Sequence, residues 1–147
     1  MINKYYSLPL KLASIADGEP EPLAMCSEQS SIDSYLELLL TTCPGEHKFN
    51  NEWGCKIWDL DFEIITSKNK WETHCTEIIS QMVNNYEPRL KDVNVIAKIV
   101  EVTKSDGFLN TPAIKKKLNI YINATLRSTG EKCCFYYKLY LGPITSE

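Results

Sequence analysis

The residues with chemical potential are carboxylates, thiols and imidazoles, and they gather between positions 43 and 75. Glu46, Glu52, Asp59, Asp61 and Glu63 form an acidic region. A glycosidase of the lysozyme kind needs two carboxyl groups held on either side of the scissile bond. Nothing in the sequence sets a separation between any two of these residues, and the same pattern makes an ordinary solvated acidic face. A peptidoglycan hydrolase using the 46–63 region therefore stands as the alternative function. Cys43, His47, Cys55, His74 and Cys75 carry atoms that zinc takes. Their spacing matches no common ligand set, and Cys75 falls in an apolar stripe, so no metal site is expected. The chain has only two histidines, and neither sits in a nucleophile motif. No glycine-rich phosphate loop is present. The reading is therefore of a protein that is not an enzyme, with no cofactor and no small-molecule substrate.

One further group stands out. Glu87-Pro88-Arg89 puts a carboxylate and a guanidinium on either side of a rigid residue. Read plainly, it is a helix stop with two surface charges. Read functionally, it is a junction offering groups to a partner, since a planar guanidinium pairs with carboxylates or carbonyls in fixed geometry. Lys115-Lys116-Lys117 is a short basic run at a strand entrance. Asn123-Ala124-Thr125 matches a glycosylation pattern but falls inside a strand.

The elements around these residues follow from periodicity. Residues 1–29 contain Pro9, Gly18, Pro20 and Pro22, which interrupt any helix, and read as an extended N-terminal arm. The remainder, 30–147, reads as one domain. A first helix spans residues 31–43, with Ile32, Tyr35, Leu36, Leu39 and Leu40 at helical spacing and Ser30 and Asp33 at capping-box spacing. Trp58, Leu60, Phe62 and Ile64 alternate with Asp59, Asp61 and Glu63, which predicts a short extended piece. A second helix runs from about residue 69 to Tyr86 on the stripe Trp71, Cys75, Ile78, Ile79, Met82, Val83 and Tyr86; Pro88 stops it. Three strands follow, at 91–102, 117–127 and 132–141, the last two joined through residues 128–131 as a hairpin. The predicted fold class is α+β: two main helices packed on a C-terminal three-stranded antiparallel sheet ending in a β-hairpin. Tyr121, Tyr136 and Tyr140 fall on the outer face, where they are either interface residues or cover for the sheet against its own helices.

The totals fit this picture. The chain has 147 residues, 44% hydrophobic and 24% charged, an ordinary globular composition for one domain. The net charge is -3, with an acidic first half and a slightly basic second half, too little positive charge for a nucleic-acid footprint. No apolar run reaches the roughly 18 residues of a membrane span, so no membrane insertion is expected. No secretory signal is evident, and a cytoplasmic setting is expected. Cys26, Cys43, Cys55, Cys75, Cys133 and Cys134 include no C-x-x-C pair and are expected as reduced thiols.

The ordered set of motifs resembles the TssE-like baseplate wedge family of contractile injection machines. That family includes the type VI secretion subunit and its counterparts in contractile phage tails. The residues that carry the resemblance are Ser31, Ile32, Leu36 and Leu39-Leu40-Thr41-Thr42, then Gly45-Glu46, Glu52-Trp53-Gly54, Phe62-Glu63, Glu87-Pro88-Arg89 and the valine-rich strand from Val93 to Val102. They cover roughly residues 30–102 in the family's order. His47 stands where the family usually has arginine, and the cysteines and the proline-containing arm are not family hallmarks. The resemblance implies a structural wedge subunit, a sheath initiator in a membrane-docked baseplate on the cytoplasmic side of a bacterial membrane. It implies docking of the Glu-Pro-Arg junction on larger TssF/TssG-like wedge proteins, and a C-terminal sheet that templates sheath subunits. Gly45, Glu46 and Trp53 would join Glu87, Pro88 and Arg89 in partner contacts, with Tyr121, Tyr136 and Tyr140 on the sheet. A phage tail or other contractile particle is a variant of the same role, and a free-standing adaptor is a third reading.

Overall fold

The structure, a computed structural model, describes residues 4–18, 22–60, 67–105 and 112–141. Along the chain lie β1 (Tyr5–Tyr6), α1 (Ala13–Ala16), β2 (Met25–Cys26) and α2 (Glu28–Thr41). A 3-10 turn (Lys56–Asp59) follows, then α3 (Lys68–Tyr86), β3 (Leu90–Ser105), β4 (Pro112–Leu126) and β5 (Lys132–Leu141). The α+β prediction holds: two main helices cover one face of an antiparallel sheet of order β3-β4-β5. The helices divide that face, with α3 against β3 and α2 along β5.

Period 2 in the strands and period 3.6 in the helices select the same interior. Leu118, Ile120, Ile122, Ala124 and Leu126 of β4 point inward together with Cys133, Phe135, Tyr137 and Leu139 of β5. They meet Ile32, Leu36, Leu39 and Leu40 of α2 and Cys75, Ile79, Met82 and Val83 of α3. On β3 the alternation breaks once. Leu90 and Val95 are both buried although five positions separate them, because the pairing shifts between Lys91 and Asn94. There Asp92 takes a left-handed φ of 52°. One extra residue at this bulge re-phases the strand, so the first residue after the Glu-Pro-Arg junction also enters the core.

Several local expectations need revision. Helix α2 starts earlier than the Ser30/Asp33 capping box predicts. Ser27 is the N-cap, its hydroxyl accepting the Ser30 N–H at 3.3 Å. Asp33 lies a turn further on and binds Tyr137 instead. The segment predicted as extended begins with the 3-10 turn at Lys56–Asp59, while Asp61, Phe62, Glu63 and Ile64 lie outside the described residues. The arm is more organised than its prolines indicate: β1 pairs antiparallel with β2, Tyr5 opposite Cys26. The β4–β5 turn closes as a bulged hairpin, with Gly130 N–H donating to the Leu126 carbonyl and Leu126 N–H donating to the Glu131 carbonyl, each at 2.9 Å. Gly130 supplies the left-handed φ of 75° that this turn demands.

The cysteines are free. Burial pushes the Cys55 thiol up to about 12 and the Cys75 thiol up to about 11, from an ordinary value of 9.0. In the folded chain both stay protonated at pH values where the unfolded chain has already ionised. Their contribution to stability is complete below pH 9 and is lost as pH rises from about 9 toward 12. Melting temperature should fall across that window, and Cys55→Ala/Cys75→Ala should flatten the fall. Thiol labelling at neutral pH should strike exposed Cys134 first and Cys55 and Cys75 last.

Candidate partner-binding site

Tyr86 ends α3 and Leu90 begins β3, and the three residues between them form a closed polar unit. Arg89 grips Glu87 with two parallel bonds, Nε to Oε1 at 2.7 Å and Nη2 to Oε2 at 2.8 Å. The Arg89 backbone N–H adds a third bond to Oε1 at 3.1 Å. The remaining terminal nitrogen, Nη1, donates to the Ser31 hydroxyl at 2.9 Å, which ties the junction to α2. The ring of Tyr5 lies against the guanidinium, its centroid 4.9 Å from Cζ. Glu87 is 1% exposed, Arg89 is partly open and Pro88 is exposed. The bond to Glu87 holds the Arg89 charge above its already high ordinary range, against an opposing effect of burial. The carboxylate of the motif is thus consumed inside the chain, where it fixes the guanidinium. The side of the junction that stays open to solvent is the outer side of Arg89, with Pro88 beside it. Serine and tyrosine partners for this arginine lie 58 and 84 positions away, so no local motif announces them.

The other sequence candidates occupy two further places. Gly45 and Glu46 belong to the turn after α2, where Glu46 Oε2 accepts the Cys43 N–H at 3.2 Å. Trp53 is half-buried and packs at a tilt against His47, ring centroids 5.3 Å apart, its indole N–H donating to the Tyr35 hydroxyl at 3.3 Å. His47 organises this loop, with Nδ1 accepting N–H groups of Phe49 and Asn50. Phe49 projects from the loop 88% exposed. Gly54 seats the loop on the end of α2, and Cys55 N–H bonds the Thr42 carbonyl at 2.9 Å. Tyr121, Tyr136 and Tyr140 lie on the sheet face opposite the helices and are exposed. Tyr121 and Tyr136 stack at 4.8 Å, and Ile96 and Val100 extend the patch across β3. Of the two readings of these tyrosines, cover for the sheet against its own helices is not what the fold does with them.

The two edges of the sheet differ. At β3, α3 comes alongside and Glu72 Oε1 accepts the Ile99 N–H at 2.9 Å. Glu72 is nearly buried, and Lys98 sits 3.6 Å from its other oxygen. That carboxylate seals an outward-pointing backbone donor of the edge strand. Its signal was available: Glu72 shares the helical face of Cys75, Ile79 and Val83, an odd place for a charge. At β5 the hairpin bonds of Leu126 fix which residues point which way. Antiparallel pairing alternates, so Cys133, Phe135, Tyr137 and Leu139 direct their backbone groups to β4. Lys132, Cys134, Tyr136, Lys138 and Tyr140 direct theirs away from the sheet. Among the described residues nothing bonds those groups.

Glu46, Glu52 and Asp59 are exposed. Glu52 borders a cavity of about 110 Å³ with Gly54, Lys56, Gln81 and Asn85, and no second carboxylate lines it. Asp61 and Glu63 lie outside the described residues. No group of three or more metal-ligating side chains occurs among the described residues, and none of their helices is long and apolar enough to cross a membrane.

Known proteins place this architecture. No protein of curated function matches the chain in sequence. A Geobacter sulfurreducens protein, provisionally described as a tail lysozyme, superposes with a TM-score of 0.60 at 20% identity, over 84% of this chain and 99% of its own. A chain of the baseplate complex from the type VI secretion system superposes with a TM-score of 0.53 at 15% identity, over 76% of this chain and 92% of its own. At such identities these likenesses speak for the fold. The family of baseplate wedge protein gp25 matches residues 26–131, which takes in α2, α3, the junction, β3, β4 and the turn after it, and ends just before β5. The chain belongs to the baseplate wedge gp25 family.

Proposed function

We propose that this chain is a non-catalytic wedge subunit of a contractile injection machine of the type VI kind, and that its open β5 edge starts the sheath. The observation that carries the reading is the asymmetry of the sheet. At the β3 edge α3 lies alongside and Glu72 takes the outward Ile99 N–H, whereas the β5 edge presents an unbonded row of backbone groups among the described residues. A row of that kind takes up an extended segment through main-chain hydrogen bonds. The wedge family supports a place in a baseplate; the proposed neighbours are larger wedge proteins and sheath subunits. The outer side of Arg89, stiffened by Glu87, is the docking point for the larger wedge proteins. The assembly works at the cytoplasmic face of a bacterial membrane, with protein partners only.

The test is recovery of partners with the tagged chain from its native cells. Wild type is expected to bring down both wedge and sheath proteins. Lys138→Pro removes an outward N–H while leaving the β4–β5 bonds in place, a substitution that edge strands tolerate. It should lose sheath and keep wedge proteins. Arg89→Lys keeps the charge but loses the planar fork, and should weaken wedge recovery several-fold. Absence of any baseplate or sheath protein with wild type, under conditions that preserve complexes, would overturn the assignment. Clearing of cell-wall suspensions that disappears in Glu46→Gln or Glu52→Gln would favour the hydrolase instead.

A further inference from the structure

The edge of β5 is the floor of a groove whose wall is helix α2. Two adjoining cavities mark it. One of about 360 Å³ runs from Ser27 and Ser30 to Asp33, opposite Cys134 and Tyr136. The other, of about 400 Å³, runs from Asp33 past Glu37 to Thr41, opposite Tyr136 and Leu139. Both helix and strand numbers rise along the groove, so α2 and β5 run in the same direction. A segment added to β5 lies in this groove with every second side chain turned toward α2.

The wall that those side chains meet is acidic. Asp33 Oδ1 accepts the Tyr137 hydroxyl at 2.7 Å, and the Asp33 carbonyl accepts the same hydroxyl at 3.1 Å. The bond from Tyr137 pins this carboxylate at the groove's midpoint and leaves its second oxygen available. Glu37 is exposed, and none of its carboxylate oxygens is bonded among the described residues. The two acids are one helical turn apart, about 6 Å of rise. Same-face side chains of a strand are separated by about 6.6 Å. Lys138 lines the second cavity from the strand side, and its Nζ stands 5.6 Å from the Tyr136 ring.

We propose that the β5 groove selects an extended protein segment carrying two basic side chains at alternate positions, which pair with Asp33 and Glu37. The other alternate set faces outward beside Tyr136 and Tyr140, and is apolar or aromatic. This inference rests on the strand-accepting edge argued above, and adds charge selection to it.

The experiment uses the full chain and three blocked nine-residue peptides of one alternating β-prone sequence. They carry lysine, glutamine or glutamate at two consecutive same-face positions. Binding is read by fluorescence anisotropy at low and high salt. The lysine peptide should bind about tenfold tighter than the glutamate peptide, two exposed ion pairs being replaced by two repulsions. High salt should narrow the ratio. Asp33→Asn/Glu37→Gln should bring the ratio to about twofold or less. Asp33→Asn retains an acceptor for Tyr137, and Glu37→Gln alone, at an exposed position, should give about half the effect on a logarithmic scale. Equal binding of all three peptides, abolished by Lys138→Pro, would overturn the charge selection and leave the edge intact. Binding of none to wild type would overturn both.

Discussion

Arg89→Ala should destabilise the folded chain by about 3 kcal/mol, the lower end for breaking a buried ion pair, because Arg89 is partly open to solvent while Glu87 is not. For a chain of 147 residues this is a fall in melting temperature of roughly 10 °C. The loss comes mainly from the partner left behind. The Glu87 carboxylate is 1% exposed in the intact chain, and without the guanidinium it keeps only the backbone N–H of residue 89 among its observed donors. Adding Glu87→Gln should recover a good part of the loss, since a neutral amide is cheaper to bury than an unpaired anion. Calorimetric unfolding of the two single variants and the double variant measures the coupling directly. A melting temperature for Arg89→Ala within a degree or two of wild type would mean the pair carries no structural weight. The same arithmetic explains why Arg89→Lys, which keeps a cation beside Glu87, is the sound probe of docking.

Gly54→Ala should cost about 2–4 kcal/mol, from backbone strain together with crowding. Gly54 has a φ of 133°, and a Cβ there would stand 2.7 Å from the Thr42 carbonyl oxygen and 3.1 Å from the Cys43 and Pro44 backbone. None of these atoms belongs to a side chain that can swing away. The Thr42 carbonyl is also the acceptor for Cys55, so relieving the clash breaks the bond that docks the loop on α2. Gly45→Ala is the control. Its φ is 95°, but nothing lies within 4 Å of the added methyl, so only the conformational penalty of about 1–2 kcal/mol applies. Comparable melting temperatures for the two variants would show that the close approach at residue 54 is not real in solution.

What the sequence discloses depends on the range of the interactions. The stripe from Trp71 to Tyr86 gives α3 nearly to the residue, because each apolar side chain there answers to the same core. The strand alternation gives all three members of the sheet and their inner faces. It fails at the bulge, since one residue in a left-handed conformation at Asp92 costs little locally and leaves no compositional mark. The start of α2 is misplaced because Ser27, Ser30 and Ser31 are all plausible caps, and only the fold decides that Ser27 caps while Ser31 holds Arg89. Glu87-Pro88-Arg89 is conspicuous as a triplet, but its internal pairing and its cover by Tyr5 arise from elements at opposite ends of the chain. The acidic wall of the groove is hidden for the same reason: Asp33 reads as a cap until Tyr137 is seen to bind it.

In the proposed sheath-starting role, the bond between Glu72 and the Ile99 N–H on the β3 edge has a consequence for growth. A sheet that can be extended along both margins is a monomer of a fibre, interchangeable with its neighbours and able to multiply without a template. A sheet with one margin closed is a seed with a single live end. It can begin a stack but cannot be inserted into one, and copies of it cannot propagate by adding edge to edge indefinitely. In the proposed role, the bond from Ile99 to Glu72 would bias growth toward the β5 edge, using one carboxylate and one amide proton.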